Sequence, residues 1–193
     1  MEGTLLRPYA PVIVTGVGAV NAAYALTRYL DRNAVDRIIV CGIGGAYPGS
    51  GLDVGAVVCA DRECYGDLGA DSPDGFLDMQ ALGFPIVAGD VPLYNTLPLQ
   101  IFPAEWRVPF VTVNMCTGSE VAARTIEART SGAVESMEGA AIAHVAALAG
   151  IPVGELRGIS NMVGRRDKST WRVKEAAVAA QEALIDWLGK KRD

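Results

Sequence analysis

The chain has 193 residues, half of them apolar and one fifth charged, a balance that suits one globular domain with a sizeable core and excludes a disordered chain. Its formal net charge is -5, from 17 Lys+Arg and 22 Asp+Glu. No basic block stands out, so a nucleic-acid partner is not expected; Lys190, Lys191 and Arg192 read as a solvated helix end, where cations suit the dipole.

Four cysteines, Cys41, Cys59, Cys64 and Cys116, form no CxxC pair, and there is a single histidine, His144. A Cys/His zinc site is therefore not expected, and neither is any other metal or cofactor. Reduced thiols point to the cytoplasm. No run approaches the roughly 20 apolar residues of a membrane span, and MEGTLLRPYAP has no signal-peptide core. The expectation is a soluble, unexported single domain over residues 1–193.

Short apolar runs alternate with helical patterns. Val12 to Val17 reads as a buried strand ending in glycine, followed by a helix from Ala19 to Leu30. Arg37 to Cys41 reads as a second strand, ending in the glycine-rich GIGGAYPG loop (Gly42 to Gly49), and Val54 to Ala60 as a third. Residues 61–107, rich in Gly, Pro and Asp, read as irregular. Phe110 to Val113 is the next strand. Helices are expected at Ser119 to Arg129 and at Gly139 to Ala149, the latter small, apolar and ended by Gly150-Ile151-Pro152. A strand from Val153 to Ile159 and a long helix from Ser169 to Leu188 close the chain. This alternation predicts an α/β domain with a largely parallel sheet, whose ligands sit beyond the carboxyl ends of strands.

Three segments could carry chemistry. TGVGAVNAA (Thr15 to Ala23) places glycines between a strand and a helix N-terminus, where an anion or sugar can approach backbone N–H groups. It is not GxGxxG and has no P-loop lysine, so by itself it is a tight turn. VESMEGAAIAHVAA (Val134 to Ala147) opens an apolar helix with Glu138. A lone acid there can serve the helix dipole. Beside Met137 and Gly139 it can also accept from two vicinal hydroxyls at once, as on a ribose. ELRGISNMVGRRDKSTW (Glu155 to Trp171) sets Asn161 just past a strand end and Arg157 on the strand, where burial demands a partner. His144, on the small apolar helix, reads as a hydrogen-bonded helix-face residue, because no Ser-His-Asp or Cys-His arrangement supports it.

Together GVGAVNAA, GIGGAYPGSGLDVGAVV, VESMEGAAIAHVA and ELRGISN resemble the purine nucleosidase branch of the nucleoside phosphorylase superfamily. The methylthioadenosine/adenosylhomocysteine nucleosidases carry aspartate where Asn161 stands. The SN form, followed by VGRRD and Trp171, and the ECYGDLG segment (Glu63 to Gly69) are similar to the futalosine hydrolases. The resemblance implies a three-layer α/β/α sandwich with a mixed, largely parallel central sheet, packed as a homo-oligomer. It implies hydrolysis of the N-glycosidic bond of futalosine to hypoxanthine and dehypoxanthine futalosine, on the way to menaquinone. It further implies that Met137 and Glu138 hold the ribose, that Asn161 faces the purine and Arg157 supports the site floor, and that Ile43, Gly44, Gly45, Thr117 and Gly118 line sugar and base.

Hydrogen-bond chemistry favours a 6-oxopurine. Hypoxanthine shows two acceptors, N7 and O6, along one edge, and a side-chain amide can donate to both; adenine pairs an acceptor with a donor. Arg165 and Arg166 are candidates for the benzoate carboxylate of futalosine, with a solvated loop paired to Asp167 as the alternative. Water, not phosphate, is the expected nucleophile. Members of the family carry an earlier strand followed by an acid that activates it; here VIVTGVG begins at residue 12 and only Glu2 precedes it, so the family's first strand is expected to be missing, leaving three accounts: a longer N-terminus, another acid such as Glu63 or Asp67, or a purine-binding subunit without catalysis. A methylthioadenosine- or inosine-type nucleosidase is the enzymatic alternative.

Overall fold

The computed structural model describes residues 3–99, 101–103 and 107–190; Glu2, Lys191 and Arg192 lie outside them. The elements in chain order are α1 (Ala19–Leu30), β1 (Ile38–Ala46), β2 (Val57–Tyr65), β3 (Gly69–Ser72), β4 (Gly75–Asp78), β5 (Thr96–Pro98), β6 (Arg107–Thr112), α2 (Glu120–Thr130), β7 (Val134–Ser136), α3 (Gly139–Ala149), β8 (Val153–Met162) and α4 (Val173–Lys190). A one-turn 3-10 helix, Lys168–Thr170, precedes α4.

Six strands form a mixed sheet in the order β5-β2-β6-β7-β1-β8, with β8 also pairing β2. The long ladders, β1–β8 and β2–β6, are parallel; the β1–β7, β2–β5 and β2–β8 pairings are short and antiparallel. Strand alternation divides the interior between two faces. Ile39, Cys41, Val57, Cys59 and Leu156 meet Leu184 and Trp187 of α4. Val40, Val58, Ala60, Phe110 and Val134 meet α1 and the small-residue helix α3. The expected layering, helices on both faces of a mixed sheet, is what the chain adopts.

Three expectations need correction. First, Val12 to Val17 forms no strand, and Gly16 within it has φ +85°. Among the described residues the first part of β1 is paired only with β8, and nothing pairs Val12 to Val17 in a ladder; Val14 and Val17 are largely exposed. Second, GIGGA is not a loop: β1 runs through it to Ala46. The glycines are there for close packing. A Cβ on Gly44 would meet Val134 Cγ1 at 2.6 Å, and one on Gly45 would meet Val163 Cγ2 at 2.8 Å. Third, residues 61–107 are only partly irregular: the described ones hold the end of β2, the β3–β4 hairpin and β5, with turns between Asp78 and Thr96. The short strand β7, just before α3, was not expected at all.

Candidate active site

A cavity of about 790 Å³, within the range of small-molecule sites, runs along β1 from Ile38 to Gly45 and reaches the carboxyl end of β8. The N-terminal stretch, Leu26, Tyr29 and Leu30 of α1, the end of β7 and the mouth of α3 also line it. Met137, Glu138, Arg157 and Asn161 all line it. So do Ile43, Gly44, Gly45 and Thr117, as well as Arg166 and Trp171. Gly118 and Arg165 stand outside the lining.

Glu138 is the N-cap residue of α3 but makes no side-chain bond to its own helix. Its Oε1 accepts from the Gly18 backbone N–H at 3.0 Å, and its Oε2 faces Arg157 Nη2 at 3.6 Å. The glycine turn before α1 therefore does receive an anion, and that anion is Glu138. Gly18, with φ +93°, takes a backbone conformation that side chains disfavour.

Arg157 has the partners its burial demands. Its Nε donates to Glu155 Oε1 at 2.5 Å and its Nη1 to the Ile43 carbonyl at 2.7 Å. Burial alone would weaken its hold on the proton, but the carboxylates of Glu155 and Glu138 more than reverse that, so the guanidinium stays charged.

Asn161 faces Gly45 across the β1–β8 ladder, just after a bulge between Gly44 and Gly45. The Ser160 hydroxyl donates to Asn161 Oδ1 at 2.8 Å, and Asn161 Nδ2 donates to the Met162 carbonyl at 3.0 Å. That pair fixes the amide's sense and leaves one N–H of Nδ2 to give. A Cβ on Gly45 would lie 3.0 Å from Nδ2; the missing side chain is what lets the amide approach β1 so closely.

Glu135 escaped sequence reasoning. It is buried on β7 and lines the cavity. The Thr117 amide donates to its Oε1 at 3.0 Å, the Thr117 hydroxyl to Oε2 at 2.5 Å, and the Tyr47 hydroxyl to Oε2 at 2.8 Å. Burial, reinforced by Glu135, raises the Tyr47 pKa, so the phenol remains a donor. Glu135 thus pins the Cys116–Thr117 loop to the wall. The available signal was an acid inside the apolar run leading to Met137.

The remaining acids stand elsewhere. Glu63 is wholly buried under α3, and Asp67 accepts from the Asn114 amide and side chain at 2.7 and 3.1 Å; neither lines the cavity. His144 lies between the Tyr65 hydroxyl (3.2 Å) and the Ile86 carbonyl (2.9 Å), away from the cavity wall. Arg166 lies over the Trp171 ring at 5.0 Å.

A sequence profile of the phosphorylase superfamily matches residues 3–188. The chain belongs to the phosphorylase superfamily. Among curated members it is 36% identical over 187 residues to a futalosine hydrolase of Thermus thermophilus, covering 88% of this chain and 77% of that protein. It is 38% identical over 183 residues to a futalosine hydrolase of Streptomyces coelicolor, covering 90% and 76%. Two solved superfamily structures have the same fold. Native futalosine hydrolase of Helicobacter pylori superposes with a TM-score of 0.75 at 15% identity, covering 91% of this chain and 77% of that one. A methylthioadenosine/adenosylhomocysteine nucleosidase of Colwellia psychrerythraea in complex with adenine gives 0.73 at 23% identity, covering 91% and 75%. Among the described residues of this superfamily member, no helix is long and apolar enough to cross a membrane.

Proposed function

We propose that this chain is a nucleosidase that hydrolyses futalosine to hypoxanthine and dehypoxanthine futalosine. The observation that carries the reading is the placement of Glu138 and Asn161 on the wall of one cavity, an acid at a helix mouth and an amide beyond a strand tip. Identities of 36% and 38% to futalosine hydrolases over most of the chain support the substrate.

In this reading Glu138 accepts from the ribose 2′ and 3′ hydroxyls, with Met137 as the apolar plate beneath the sugar. The C1′–N9 bond breaks with its electron pair going to the purine, leaving an oxocarbenium-like sugar. Asn161 donates to the acceptor edge of the leaving base, where charge develops. One Asn161 N–H already serves Met162, so its other N–H leads, and full engagement of N7 and O6 requires release of that carbonyl. Water bonds to C1′, its hydroxyl staying on the sugar and its proton leaving to balance the purine anion. Ile43, Gly44, Gly45 and Thr117 frame the base. Arg157 neutralises part of the field behind Glu138. Arg166, braced on Trp171, is the cation placed to meet a substrate carboxylate. The protein works in the cytoplasm as a homo-oligomer.

Hypoxanthine release from futalosine without phosphate, with slower turnover of methylthioadenosine and inosine, is the expected assay result. Release only on adding phosphate would overturn the hydrolase assignment, and faster cleavage of methylthioadenosine would reassign the substrate. Purine binding with no turnover of any nucleoside would leave a binding subunit.

A further inference from the structure

Behind Glu138 lies a charged cluster that substrate contact does not account for. Glu63 on β2 and Glu155 on β8 are both 0% exposed, and Arg157 is 4% exposed. Glu63 Oε2 accepts from the Thr112 hydroxyl at 2.9 Å, and that hydroxyl oxygen in turn accepts from the Ala140 amide at 2.8 Å. Glu155 Oε1 takes Arg157 Nε. The other two carboxyl oxygens, Glu63 Oε1 and Glu155 Oε2, have no hydrogen-bond partner. Both point at one place: a Cβ on Gly139 would lie 2.0 Å from the first and 2.4 Å from the second. Gly139 is the first residue of α3, directly after Glu138.

Two bare carboxyl oxygens sealed in the same small space are incompatible with two full charges. A single proton resolves both at once: one oxygen becomes a donor, the other its acceptor, and no buried oxygen is left empty. The single negative charge left on the pair then offsets the positive charge of Arg157, whose Nη2 faces Glu138.

We propose that Glu63 and Glu155 share one proton, and that Glu155, through Arg157, is the positioning residue that holds the Glu138 carboxylate at the cavity mouth. Burial and the neighbouring Glu155 charge push the Glu63 carboxyl upward, against the pull of Arg157, in keeping with this. The titratable and charged groups around the pair are Arg157 from β8 and Cys64 and Tyr65 along β2, with Glu138 reached through Arg157. The final link, to Glu138 in catalysis, rests on the nucleosidase reading; the shared proton does not.

Two measurements decide it. Infrared spectra of the whole protein at neutral pH should show the carbonyl stretch of a protonated carboxyl, absent from Glu63→Gln. Identical spectra would overturn the shared proton, whether or not any nucleoside is cleaved. In kinetics with futalosine, Glu63→Gln keeps a neutral donor and should retain wild-type kcat. Glu155→Gln removes the anchor of Arg157 and should lower kcat roughly 10- to 100-fold, as expected for a misplaced group, with kcat and kcat/KM falling together and hypoxanthine binding kept. Wild-type kcat in Glu155→Gln would overturn the positioning role, as would loss of activity in Glu63→Gln. If the wild-type protein cleaves no nucleoside, the proposed function fails while the infrared result still decides the proton.

Discussion

The Gly18 amide donates to Glu138 Oε1 across 120 positions of sequence, at 3.0 Å. The contact ties the start of α1 to the start of α3 and shows how the acid is aimed. A carboxylate accepts with both oxygens, whereas the amide of Glu138→Gln can accept with only one and must point N–H groups at Gly18 or Arg157. The variant should lose roughly 10²–10³ in kcat/KM for futalosine, the scale seen when one electrostatic contact to the transition state is removed. Its Tm should fall only modestly, because one of the contacts to Gly18 and Arg157 is lost while Arg157 keeps Glu155 and the Ile43 carbonyl. Full activity would remove the ribose assignment.

In the proposed site, Asn161 can turn an N–H toward the base edge because the Ser160 hydroxyl donates to its Oδ1. Asn161→Asp replaces that donor with an acceptor, which is repelled by O6 of a 6-oxopurine and, once protonated, suits the N7 of adenine. The ratio of futalosine to methylthioadenosine turnover should fall by roughly 10- to 100-fold, equivalent to one lost buried hydrogen bond of about 1–3 kcal/mol. An unchanged ratio would show that Asn161 does not read the base.

Much of this arrangement was legible in sequence wherever periodicity and chemistry agree. Helices α1 and α3 begin and end where capping and pattern place them, Ala19–Leu30 and Gly139–Ala149. Glu138 and Asn161 stood out as polar groups at the mouths of apolar elements. What could not be read depended on long-range approach. The glycines of β1 look like a loop until Val134, Val163 and Asn161 are seen filling the space of their missing side chains. Val12 to Val17 has strand composition, but strand formation needs a ladder partner, which local pattern does not reveal. Glu63 lies in a segment with few apolar runs, and its burial became visible only when β2 passed under α3.

Gly139→Ala should destabilise the protein although alanine is the better helix former. The new Cβ would fall 2.0 Å from Glu63 Oε1 and 2.4 Å from Glu155 Oε2, with both carboxyls buried and unable to swing into solvent. Overpacking of this kind costs about 1–3 kcal/mol, read as a lower midpoint in urea. A variant as stable as the wild type would show that the space beneath α3 is looser than described.

Thiol chemistry should follow burial. Cys59 and Cys64 are pushed up to about 12, chiefly by desolvation, so little thiolate exists at mildly alkaline pH. Cys116 is exposed, and its Sγ lies 3.1 Å from Met137 Sδ on the cavity wall. An aromatic disulfide reagent should modify Cys116 first, inactivate the enzyme, and do so more slowly when hypoxanthine is present. Modification of Cys116 without loss of turnover would place the sugar away from Met137.

The Glu63 carboxyl also sets a direction for stability against pH. Its folded pKa is raised, by burial first and by Glu155 second, above an unfolded value of about 4.3. Between the two values the native state keeps a proton that the unfolded chain has released. The unfolded chain then binds fewer protons, so the free energy of unfolding falls as pH rises. The contribution is complete below the unfolded pKa and is lost as pH climbs through the folded one. Glu63→Gln cannot titrate but retains a donor and an acceptor of the same shape. Its stability relative to wild type should therefore increase in urea titrations as pH rises above the unfolded value of about 4.3, until the folded pKa is passed. Parallel curves for the two proteins across that range would mean that Glu63 releases no proton between them, and an advantage that shrinks with pH would reverse the sign of the shift.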